Sequence, residues 1–204
     1  MFKLEIDIQS YWLAGTGRGS GGSYDEKSLV DENGIPYIPG KHLKGLLKEG
    51  LRSWVKKTEA DSSDIHIQCF GSDQDQSDEK TETGVLRVSS ATFDQAEYNG
   101  LKTDKKRISK LFKGLSSTAI NKNGVAENKS LRTIQVVIPV KLYAQLDWLN
   151  ESPYANTENL KENIETYIEQ ACAMLPAIGS KRTRGLGRCK IAITTENKRG
   201  DKNV

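Results

Sequence analysis

The first stretch of the chain alternates apolar and polar residues and therefore predicts a strand. The apolar residues recur at every second position, namely Phe2, Leu4, Ile6 and Ile8. A period of two is typical of a strand with one buried face. The same alternation predicts short strands over 84–93 and 188–196. A longer strand is predicted over 131–149, with an edge position or a bend at Pro139, because proline cannot donate to a sheet.

Two other stretches space their apolar residues as helices do. Residues 41–57 align four of them in one stripe, Leu43, Leu47, Leu51 and Trp54. Residues 157–175 predict a second amphipathic helix, with Thr157 as its N-cap. The order strand, loop, helix, strand, insertion, strand, helix, strand is that of the ferredoxin-like β-α-β-β-α-β arrangement. We therefore predict an α+β protein in which two helices back an antiparallel sheet.

The length of 204 residues suits one domain, which we predict over residues 1–196. Three insertions are expected within it. They are a glycine-rich flexible loop over 15–34, an exposed acidic loop over 58–83 with a short apolar island, and a basic, turn-rich projecting element over 100–131. Residues 197–204 are predicted to form a disordered tail.

Charge is distributed unevenly, although the formal net charge is only +3. Residues 61–82 contain seven acids and one lysine. Residues 100–132 contain nine lysines and arginines against two acids, and residues 179–204 contain eight against two. Such concentrations are usually solvated faces, but two basic segments in a chain of mild overall charge also favour a polyanionic partner.

The sequence contains no sign of a membrane or secretory protein. No apolar run approaches the roughly 20 residues of a membrane span, and the N-terminus lacks a signal-peptide pattern. We therefore expect a soluble, cytoplasmic protein. Its cysteines are odd in number and widely separated, at Cys69, Cys172 and Cys189. That spacing argues against a disulfide framework and favours buried free thiols.

The segment IPYIPGKHLKGLL fixes the backbone just ahead of a basic helix. Pro36 and Pro39 restrict the chain, and Gly40 lets it turn into the helix. The unpaired N–H groups of a helix start bind anions. Three basic residues surround that start, Lys41, His42 and Lys44. From these residues alone, the alternative is an ordinary strand-to-helix turn with solvated lysines.

A second basic element, IGSKRTRGLGR, combines glycines with cations. The glycines that permit close backbone approach are Gly179, Gly185 and Gly187, and the cations are Lys181, Arg182, Arg184 and Arg188. The element is not a P-loop, because its glycines lack the GxxxxGK[ST] spacing, and it is not a dinucleotide fingerprint, because a strand follows it. It fits a loop that follows a sugar-phosphate backbone.

Four segments together resemble the repeat-associated mysterious protein (RAMP) superfamily. In chain order they are IPYIPGKHLKGLLKEGLR, CFG…TGVLRVSSA, STAINKNGVAENKSLRT and LPAIGSKRTRGLGRCKI, and they cover most of the chain. The first and last resemble the superfamily as a whole. The third resembles the thumb segment of the backbone subunit of type III CRISPR effector complexes, which is the closest resemblance.

The resemblance implies that the chain assembles along a CRISPR RNA with copies or paralogues of itself and with other effector subunits. The helix start and the glycine-rich loop are then expected to hold guide phosphates, and a thumb hairpin within 100–131 to enter the guide–target duplex. The implied RNA-binding residues are Arg18, Lys41, His42, Lys44, Lys48, Arg52, Lys122, Arg132, Lys181, Arg182, Arg184 and Arg188, with Gly40, Gly179, Gly185 and Gly187 as positions of close backbone approach.

The resemblance also implies an endoribonuclease that cleaves the single-stranded target RNA once it is paired to the guide. The family has an aspartate six residues before a second one, ahead of the proline–glycine motif, and these positions fall on Asp25 and Asp31. Asp25 is thus the implied catalytic and metal-binding residue, with Mg²⁺ or Mn²⁺ as cofactor. Such chemistry asks little of the protein: the substrate's 2′-OH attacks the adjacent phosphorus in line, and one carboxylate recruits a hydrated ion.

Several positions depart from the family pattern. Lys41 and His42 stand where two serines are usual, Lys48 stands where arginine is usual, and Ser90 stands where aspartate is common. Guide binding is therefore better supported than cleavage. A structural backbone subunit that cleaves nothing is one alternative.

Two further alternatives remain. A guide-processing RAMP endoribonuclease is expected to use His42 or His66 as general acid or base. A general single-strand RNA binder is expected to show stacked aromatics on its sheet, whereas the aromatic content is 7% and no central strand has an aromatic pair. His66 and Cys69 form at most half a zinc site, because no second pair is present.

Overall fold

The computed structural model describes residues 1–15, 24–58, 64–72 and 81–195, which form a mixed α/β fold with antiparallel sheets, as predicted. The elements in chain order are strand β1 (Phe2–Ile8), helices α1 (Gly40–Thr58) and α2 (Ile65–Phe70), strand β2 (Leu86–Val88), helices α3 (Gln95–Lys102) and α4 (Lys105–Lys110), strands β3 (Phe112–Ser117), β4 (Arg132–Val137) and β5 (Lys141–Trp148), helix α5 (Glu158–Ala173), a 3-10 turn (Arg182–Arg184) and strand β6 (Cys189–Thr195).

Four strands form the main sheet in the order β2-β5-β1-β6, each antiparallel to its neighbours. Leu4 of β1 is opposite Ala144 of β5 and Ile193 of β6. Because side chains alternate along a strand, this register collects the apolar residues of three strands on one face. They share a single core with apolar residues of both long helices, such as Leu47 of α1 and Ile168 of α5.

The opposite face of the main sheet is polar. Lys141 donates to Glu5 Oε1 at 2.7 Å, and Lys3 Nζ lies 4.7 Å from the centroid of the Tyr143 ring. Within the four described strands, Tyr143 is the only aromatic residue on this face. A general single-strand RNA binder stacks RNA bases on paired aromatic side chains of its sheet. These four strands have no such pair on their polar face.

The two long helices pack directly on one another through a glycine. A Cβ on Gly50 of α1 overlaps the backbone carbonyl oxygen of Ala171 in α5, so only glycine allows this approach. Gly45, one and a half turns earlier, has nothing within 4 Å of the same position. The two glycines of α1 are thus in opposite situations: one is required by packing and the other only weakens the helix.

The prediction of one long strand over 131–149 is wrong, because the segment forms two strands in different sheets. The chain bends at Pro139, which separates β4 from β5. β4 leaves the main sheet and pairs with β3, with Leu115 opposite Ile134. The bend at proline was therefore predicted, whereas the change of sheet was not.

Two predicted insertions contain core structure. Within 58–83, helix α2 buries Ile65, Cys69 and Phe70, so this part is not an exposed loop. The prediction that 100–131 projects from the protein is wrong for residues 100–111. These residues form the end of α3 and all of α4, and their leucines and isoleucine are buried in the core. Most of 118–131, in contrast, is exposed.

The described part of the loop 15–34 is held against its surroundings by backbone pairing. Leu29 N donates to Ala14 O at 2.7 Å, and Val30 pairs with Pro36. Arg18 and the predicted tail 197–204 lie outside the described residues. No helix among the described residues is long and apolar enough to cross a membrane.

The turn that precedes the proline–glycine segment is organised by Asp31. Its Oδ1 accepts hydrogen bonds from the backbone N–H groups of Asn33 and Ile35, both at 2.9 Å. Its Oδ2 accepts from the Tyr98 hydroxyl at 2.6 Å, and this bond raises the pKa of the phenol. Asp31 is therefore explained by the fold.

The contrast within α1 predicts opposite effects for two identical substitutions. Gly45→Ala is expected to stabilise the protein by roughly 0.5–1 kcal/mol, because alanine favours the helix and meets no atom. Gly50→Ala is expected to destabilise it by about 1–3 kcal/mol, because α5 must move. Urea unfolding of the two variants measures both values, and equal effects would show that the two helices do not pack as described.

The Asp31 turn generates a second stability prediction. Asp31→Ala leaves two backbone donors and one hydroxyl without their acceptor, and we expect a loss of about 1–3 kcal/mol. Tyr98→Phe removes one of these bonds and is expected to cost less. Thermal unfolding monitored by circular dichroism compares the two variants, and an unchanged melting temperature in Asp31→Ala would contradict the structural role.

Candidate nucleic-acid interface

Residues 24–26 lie along the outer edge of β4 and extend the β3–β4 hairpin by a third short segment. Asp25 N donates to Thr133 O at 2.8 Å, and Gln135 N donates to Glu26 O at 2.9 Å. Glu26 and Ile134 form a parallel bridge. The loop that contains the predicted catalytic aspartate is thus attached to the hairpin by backbone hydrogen bonds.

Two side chains strengthen this attachment. Asp25 Oδ2 accepts a hydrogen bond from Thr133 N at 2.7 Å. The Tyr24 ring lies against Gly114 of β3, where a Cβ would stand 3.3 Å from its Cε1. Asp25 is otherwise exposed, and its Oδ1 has no hydrogen-bond partner in the described part of the chain.

The glycine-rich loop of residues 179–188 is supported from beneath by residues 10–13. Ser180 N donates to Leu13 O and Gly187 N donates to Tyr11 O, both at 2.7 Å. A Cβ on Gly179 would stand 2.6 Å from Leu13 O, and a Cβ on Gly187 would overlap Ile178 O. Both glycines also have φ values, +82° and +72°, that other residues rarely adopt.

The glycines were predicted to admit an RNA backbone, and for three of the four the fold itself gives a reason for glycine. Gly179 and Gly187 are buried against the protein's own backbone, and a Cβ on Gly40 would overlap Val88 O. Gly185 alone of the four is exposed, with open space around its Cβ position. The fold therefore requires three of these glycines before any ligand is considered.

A cleft of about 460 Å³ opens between the hairpin and the glycine-rich loop. We call it the Asp25 cleft. It has an apolar floor (Leu115, Ile134 and Leu186), a cationic rim (Arg132, Lys181 and Arg184), two serines (Ser116 and Ser117) and two acids (Asp25 and Glu26). A second hollow of about 560 Å³, the hairpin groove, continues from it along residues 117–119 and 127–130 and shares Arg132 and Arg184.

Two of the predicted RNA-binding cations are held by carboxylates. Lys181 Nζ donates to Glu26 Oε2, and Arg182 lies 3.5 Å from Glu49 of α1. Lys181 adopts φ +58°, a left-handed conformation that costs a residue with a side chain on the order of 1–3 kcal/mol. Its ion pair is half-buried and helps to offset this cost. Arg184 has no ion-pair partner in the described part of the chain.

The start of α1 lies beside the glycine-rich loop. Partial burial lowers the pKa of His42, and the positive charge of Arg182 lowers it further. At neutral pH His42 is therefore neutral and offers hydrogen bonds rather than the charge that was predicted. Gly40 N, the first helical N–H, donates to Ser90 Oγ at 3.2 Å. The serine that replaces the family's common aspartate thus still caps the helix.

The other predicted basic residues of α1 differ in how exposed their side chains are. Lys41 and Arg52 are exposed. Burial lowers the pKa of Lys44, and the charge of Lys48 lowers it further. Lys48 is only 9% exposed, so its predicted role as a surface phosphate ligand is not supported. Arg52 lies about 18 Å along the helix from Gly40, at 1.5 Å per residue.

Two further predicted cations do not line the Asp25 cleft. Lys122 is exposed in a turn at the end of the hairpin, where Asn121 Oδ1 accepts from Asn123 N at 2.9 Å. Arg188 is exposed beside β6, and its backbone N donates to Ser10 Oγ at 2.9 Å. The cleft therefore gathers Arg132, Lys181 and Arg184 out of the predicted set.

Asp25 is compatible with a divalent cation only in a restricted way. Among the described residues no group of three histidine, cysteine or acidic side chains could hold a metal. Mg²⁺, however, keeps several waters and is commonly bound by one or two carboxylates together with substrate phosphates. The exposed Oδ1 of Asp25 fits that mode, in which RNA supplies the remaining oxygens.

Neither histidine lines the Asp25 cleft or the hairpin groove. His42 lines a separate shallow hollow with Pro39 and Leu46. His66 belongs to α2, where its neighbour Cys69 is fully buried and burial raises the pKa of that thiol to about 12. A reactive thiolate at Cys69 is therefore excluded at neutral pH.

The sequence patterns did not indicate several residues of the site, namely Tyr24, Glu26, Leu115, Lys129, Ile134 and Leu186. Glu26 adjoins Asp25, but its pairing with Lys181 depends on the fold. Leu115 and Ile134 become neighbours only through the β3–β4 register. Lys129, with φ +60°, lines the hairpin groove and has no sequence signal beyond its charge.

Solved structures with a similar fold come from CRISPR complexes. A chain of "Cryo-EM structure of the Type III-B Cmr-beta bound to cognate target RNA" matches with a TM-score of 0.66 and 13% identity, over 94% of this chain and 96% of that one. A chain of the apo state of type III-B Cmr-beta matches with a TM-score of 0.66 and 13% identity, over 96% of this chain and 97% of that one. A chain of "Type IV-B CRISPR Complex" matches with a TM-score of 0.60 and 14% identity, over 98% of this chain and 93% of that one.

Sequence comparison reaches the same group of proteins. No curated protein sequence matches the chain at a significant level. The family model described as "RAMP superfamily", however, matches residues 5–190, a range that contains α1, the hairpin and the glycine-rich loop. The resemblance found in the four sequence segments is thereby confirmed, and the chain belongs to the RAMP superfamily.

Proposed function

We propose that the chain is a backbone subunit of an RNA-guided CRISPR effector complex that binds guide RNA through its phosphates and cleaves the paired target RNA. Family membership and the fold shared with chains of type III-B and type IV-B complexes support this proposal. The observation that carries it is the Asp25 cleft, where the anchored carboxylate of Asp25 lies near two arginines that have no acidic partner in the described residues and near a lysine paired with Glu26. Its partners are then guide RNA, target RNA, other effector subunits and copies or paralogues of itself.

The same proposal assigns parts to the fold. The sheet order β2-β5-β1-β6 with α1 and α5 corresponds to a ferredoxin-like core. The β3–β4 hairpin with its exposed loop 118–131 corresponds to the thumb. Because residues 24–26 are bonded to β4, the thumb and Asp25 move as one body, and docking of the thumb on a duplex also places the carboxylate.

In the proposed mechanism the protein positions the RNA and its 2′-OH performs the attack. The cationic rim holds phosphates on either side of the cut and opposes the charge that develops on phosphorus. The 2′-hydroxyl gives its proton to water and its oxygen bonds to phosphorus as the bond to the 5′-oxygen breaks. The leaving 5′-oxygen takes a proton from water, so the products are a 2′,3′-cyclic phosphate and a 5′-hydroxyl. Asp25 would hold Mg²⁺ or Mn²⁺ through Oδ1, and the ion would supply Lewis-acid charge at the phosphate.

A purely structural subunit is the second candidate, and one observation favours it. Asp25 Oδ2 already serves the fold by accepting from Thr133 N. An aspartate can therefore be required here to anchor the loop, without any part in chemistry. The two candidates share guide binding and differ in the need for a negative charge at residue 25.

Replacing Asp25 in two ways separates these candidates. Asp25→Asn keeps an oxygen that accepts from Thr133 N but removes the charge, whereas Asp25→Ala removes both. We expect both variants, in the purified complex, to bind target RNA and to lose its cleavage by a factor of at least about 100, as when a charged group that stabilises a transition state is removed. The products are measured on denaturing gels with end-group analysis.

Controls test the chemistry itself. EDTA is expected to stop the reaction, Mn²⁺ to restore it, and a 2′-deoxy nucleotide to abolish the cut at its own position. Cleavage retained in Asp25→Asn and lost only in Asp25→Ala would show that residue 25 acts by anchoring the loop and not through its charge. Absence of cleavage in the unmodified complex would support the structural candidate. Cleavage retained in both variants would place the chemistry on another residue or subunit.

Guide binding is expected to depend on phosphates rather than on sequence. Arg184→Gln removes an unpaired cation of the rim, and Lys161→Gln removes an exposed cation of α5 with the same change in net charge. Only the first variant should lower the slope of log affinity against log salt, by roughly 0.7 per lost phosphate contact. Fluorescence anisotropy with unrelated RNAs of equal length measures this, and equal slopes in both variants would count against a phosphate grip at the rim.

A further inference from the structure

We propose that the ion pair between Glu26 and Lys181 couples the loop that carries Asp25 to the glycine-rich loop, so that the carboxylate and the cationic turn keep a fixed spacing. Glu26 is then a positioning residue, which acts on the reaction through its neighbour Asp25. The inference rests on the proposed function and deepens it, because it names the contact that relates the cutting residue to the residues expected to hold guide phosphates.

The two partners of the pair belong to segments that are far apart in the chain. Glu26 is bonded to the edge of β4 through its backbone. Lys181 immediately precedes the 3-10 turn Arg182–Arg184 and follows Ser180, whose backbone N donates to Leu13 O at 2.7 Å. A contact between these two side chains therefore joins the edge of β4 to the base of the cationic turn.

The fold makes room for the carboxylate of Glu26 at Gly15. A Cβ on Gly15 would overlap Glu26 Oε1 and would stand 3.0 Å from Ser180 Oγ. The φ angle of Gly15 lies outside the left-handed range, so the backbone itself does not require glycine there. Both oxygens of the carboxylate are thus placed, with Oε1 against Gly15 and Oε2 accepting from Lys181 Nζ.

The backbone of Lys181 is strained, and the pair helps to hold it. Its φ of +58° is a conformation that glycine adopts readily and lysine does not. Such strain persists only where the surroundings hold the residue in place, and it is found mostly at functional sites. The side chains of Lys181 and Glu26 are only 28% and 21% exposed, so removing either partner leaves a partly buried charge without its counterpart. We therefore expect the turn to relax when the pair is broken.

The position of the pair relates this relaxation to cleavage. Glu26 and Lys181 both line the Asp25 cleft, together with Arg184 of the turn. In-line attack requires the phosphate and the carboxylate in a fixed relation, and a misplacement of about 1 Å can lower a rate about 100-fold. Target affinity, in contrast, is shared among contacts along the whole strand. Breaking the pair is therefore expected to lower the rate of cleavage more than the affinity.

Hydrogen exchange in the full chain tests the coupling without reference to cleavage. Glu26→Gln is expected to speed exchange of the Ser180 N–H, across the pair, by about tenfold. Lys181→Met, which keeps the length of the side chain and removes its charge, is expected to do the same for the Gln135 N–H, which donates to the Glu26 carbonyl. Glu5→Gln removes one acid of another ion pair, on the polar face of the main sheet, and is the matched control that should leave both amides unchanged.

A reversed pair separates the ion pair from its individual side chains. Glu26→Lys combined with Lys181→Glu restores opposite charges at the two positions. Exchange of both amides is expected to return to within about threefold of that in the unmodified chain, since the coupling belongs to the pair. This double variant also decides the question if a single variant folds poorly.

Cleavage by the purified complex tests the positioning role. Glu26→Gln and Gly15→Ala are expected to lower the rate at saturating target RNA by roughly tenfold to 100-fold, with target affinity within about threefold. Gly15→Ala displaces the carboxylate and changes no charge, so its effect reports the position of Glu26 and not the electrostatics of the cleft. Glu5→Gln should cleave at the rate of the unmodified complex.

Exchange that is faster only in the segment carrying the substitution, or faster to the same extent in Glu5→Gln, would overturn the coupling. A lower melting temperature without faster exchange across the pair would reduce its role to local stability, which also overturns the proposal. Unchanged cleavage in both Glu26→Gln and Gly15→Ala would refute the positioning role. An unmodified complex that cuts no RNA is a separate result: it refutes the proposed enzyme, and hydrogen exchange alone then decides the coupling.

Discussion

The pairing of residues 24–26 with the outer edge of β4 is the interaction on which the candidate site depends. β4 leaves the main sheet at the Pro139 bend and pairs with β3 on one edge only. Its other edge is covered by Trp12, which exchanges two backbone hydrogen bonds with Val137, and then by Asp25 and Glu26. An uncovered strand edge is a liability, and covering it here also fixes Asp25 at the mouth of a cleft.

Acidic side chains of the same chain pair with some of the cations in and near the cleft and leave others unpaired. Glu26 holds Lys181, and Glu49 lies against Arg182, while Arg132 and Arg184 are without such partners in the described residues. A phosphate can therefore bind the unpaired arginines directly, but must displace a carboxylate to reach the paired cations. Because exposed ion pairs contribute only about 0–1 kcal/mol, the exchange at Arg182 costs little, whereas the half-buried Lys181 is better suited to position the loop.

The sequence predicted those parts of the fold that a short local pattern determines. Strand β1 and helices α1 and α5 follow from periodicity, because each buries one continuous stripe. The helices α3 and α4 were missed because their few apolar residues, such as Leu101 and Ile108, are spread among lysines and become core only through long-range contacts. Lys48 was misjudged for a similar reason: its helical position suggested the surface, and its burial depends on what packs against α1.

In the candidate site, too, local features could be predicted and features that depend on long-range contacts could not. Charges and glycines were visible in the sequence, but their roles were not. The glycines were assigned to RNA, whereas Gly179 and Gly187 are required by the close approach of Leu13 and Ile178. The apolar floor had no signal at all, since Leu115 and Leu186 are far apart in sequence and meet only after the hairpin and the glycine-rich loop are in place.

The anchoring of Asp25 bears on how specific its chemistry can be. Because Thr133 N holds Oδ2, the direction of Oδ1 is fixed by β4 and does not depend on the rest of the loop. Such preorganisation favours a reaction that needs in-line geometry. It also leaves a single oxygen for a cation that requires six, so waters and RNA phosphates must supply the others. On the proposed function, the catalytic centre is therefore complete only when a correctly placed strand occupies the cleft, and a free RNA that merely touches the basic surface does not assemble it.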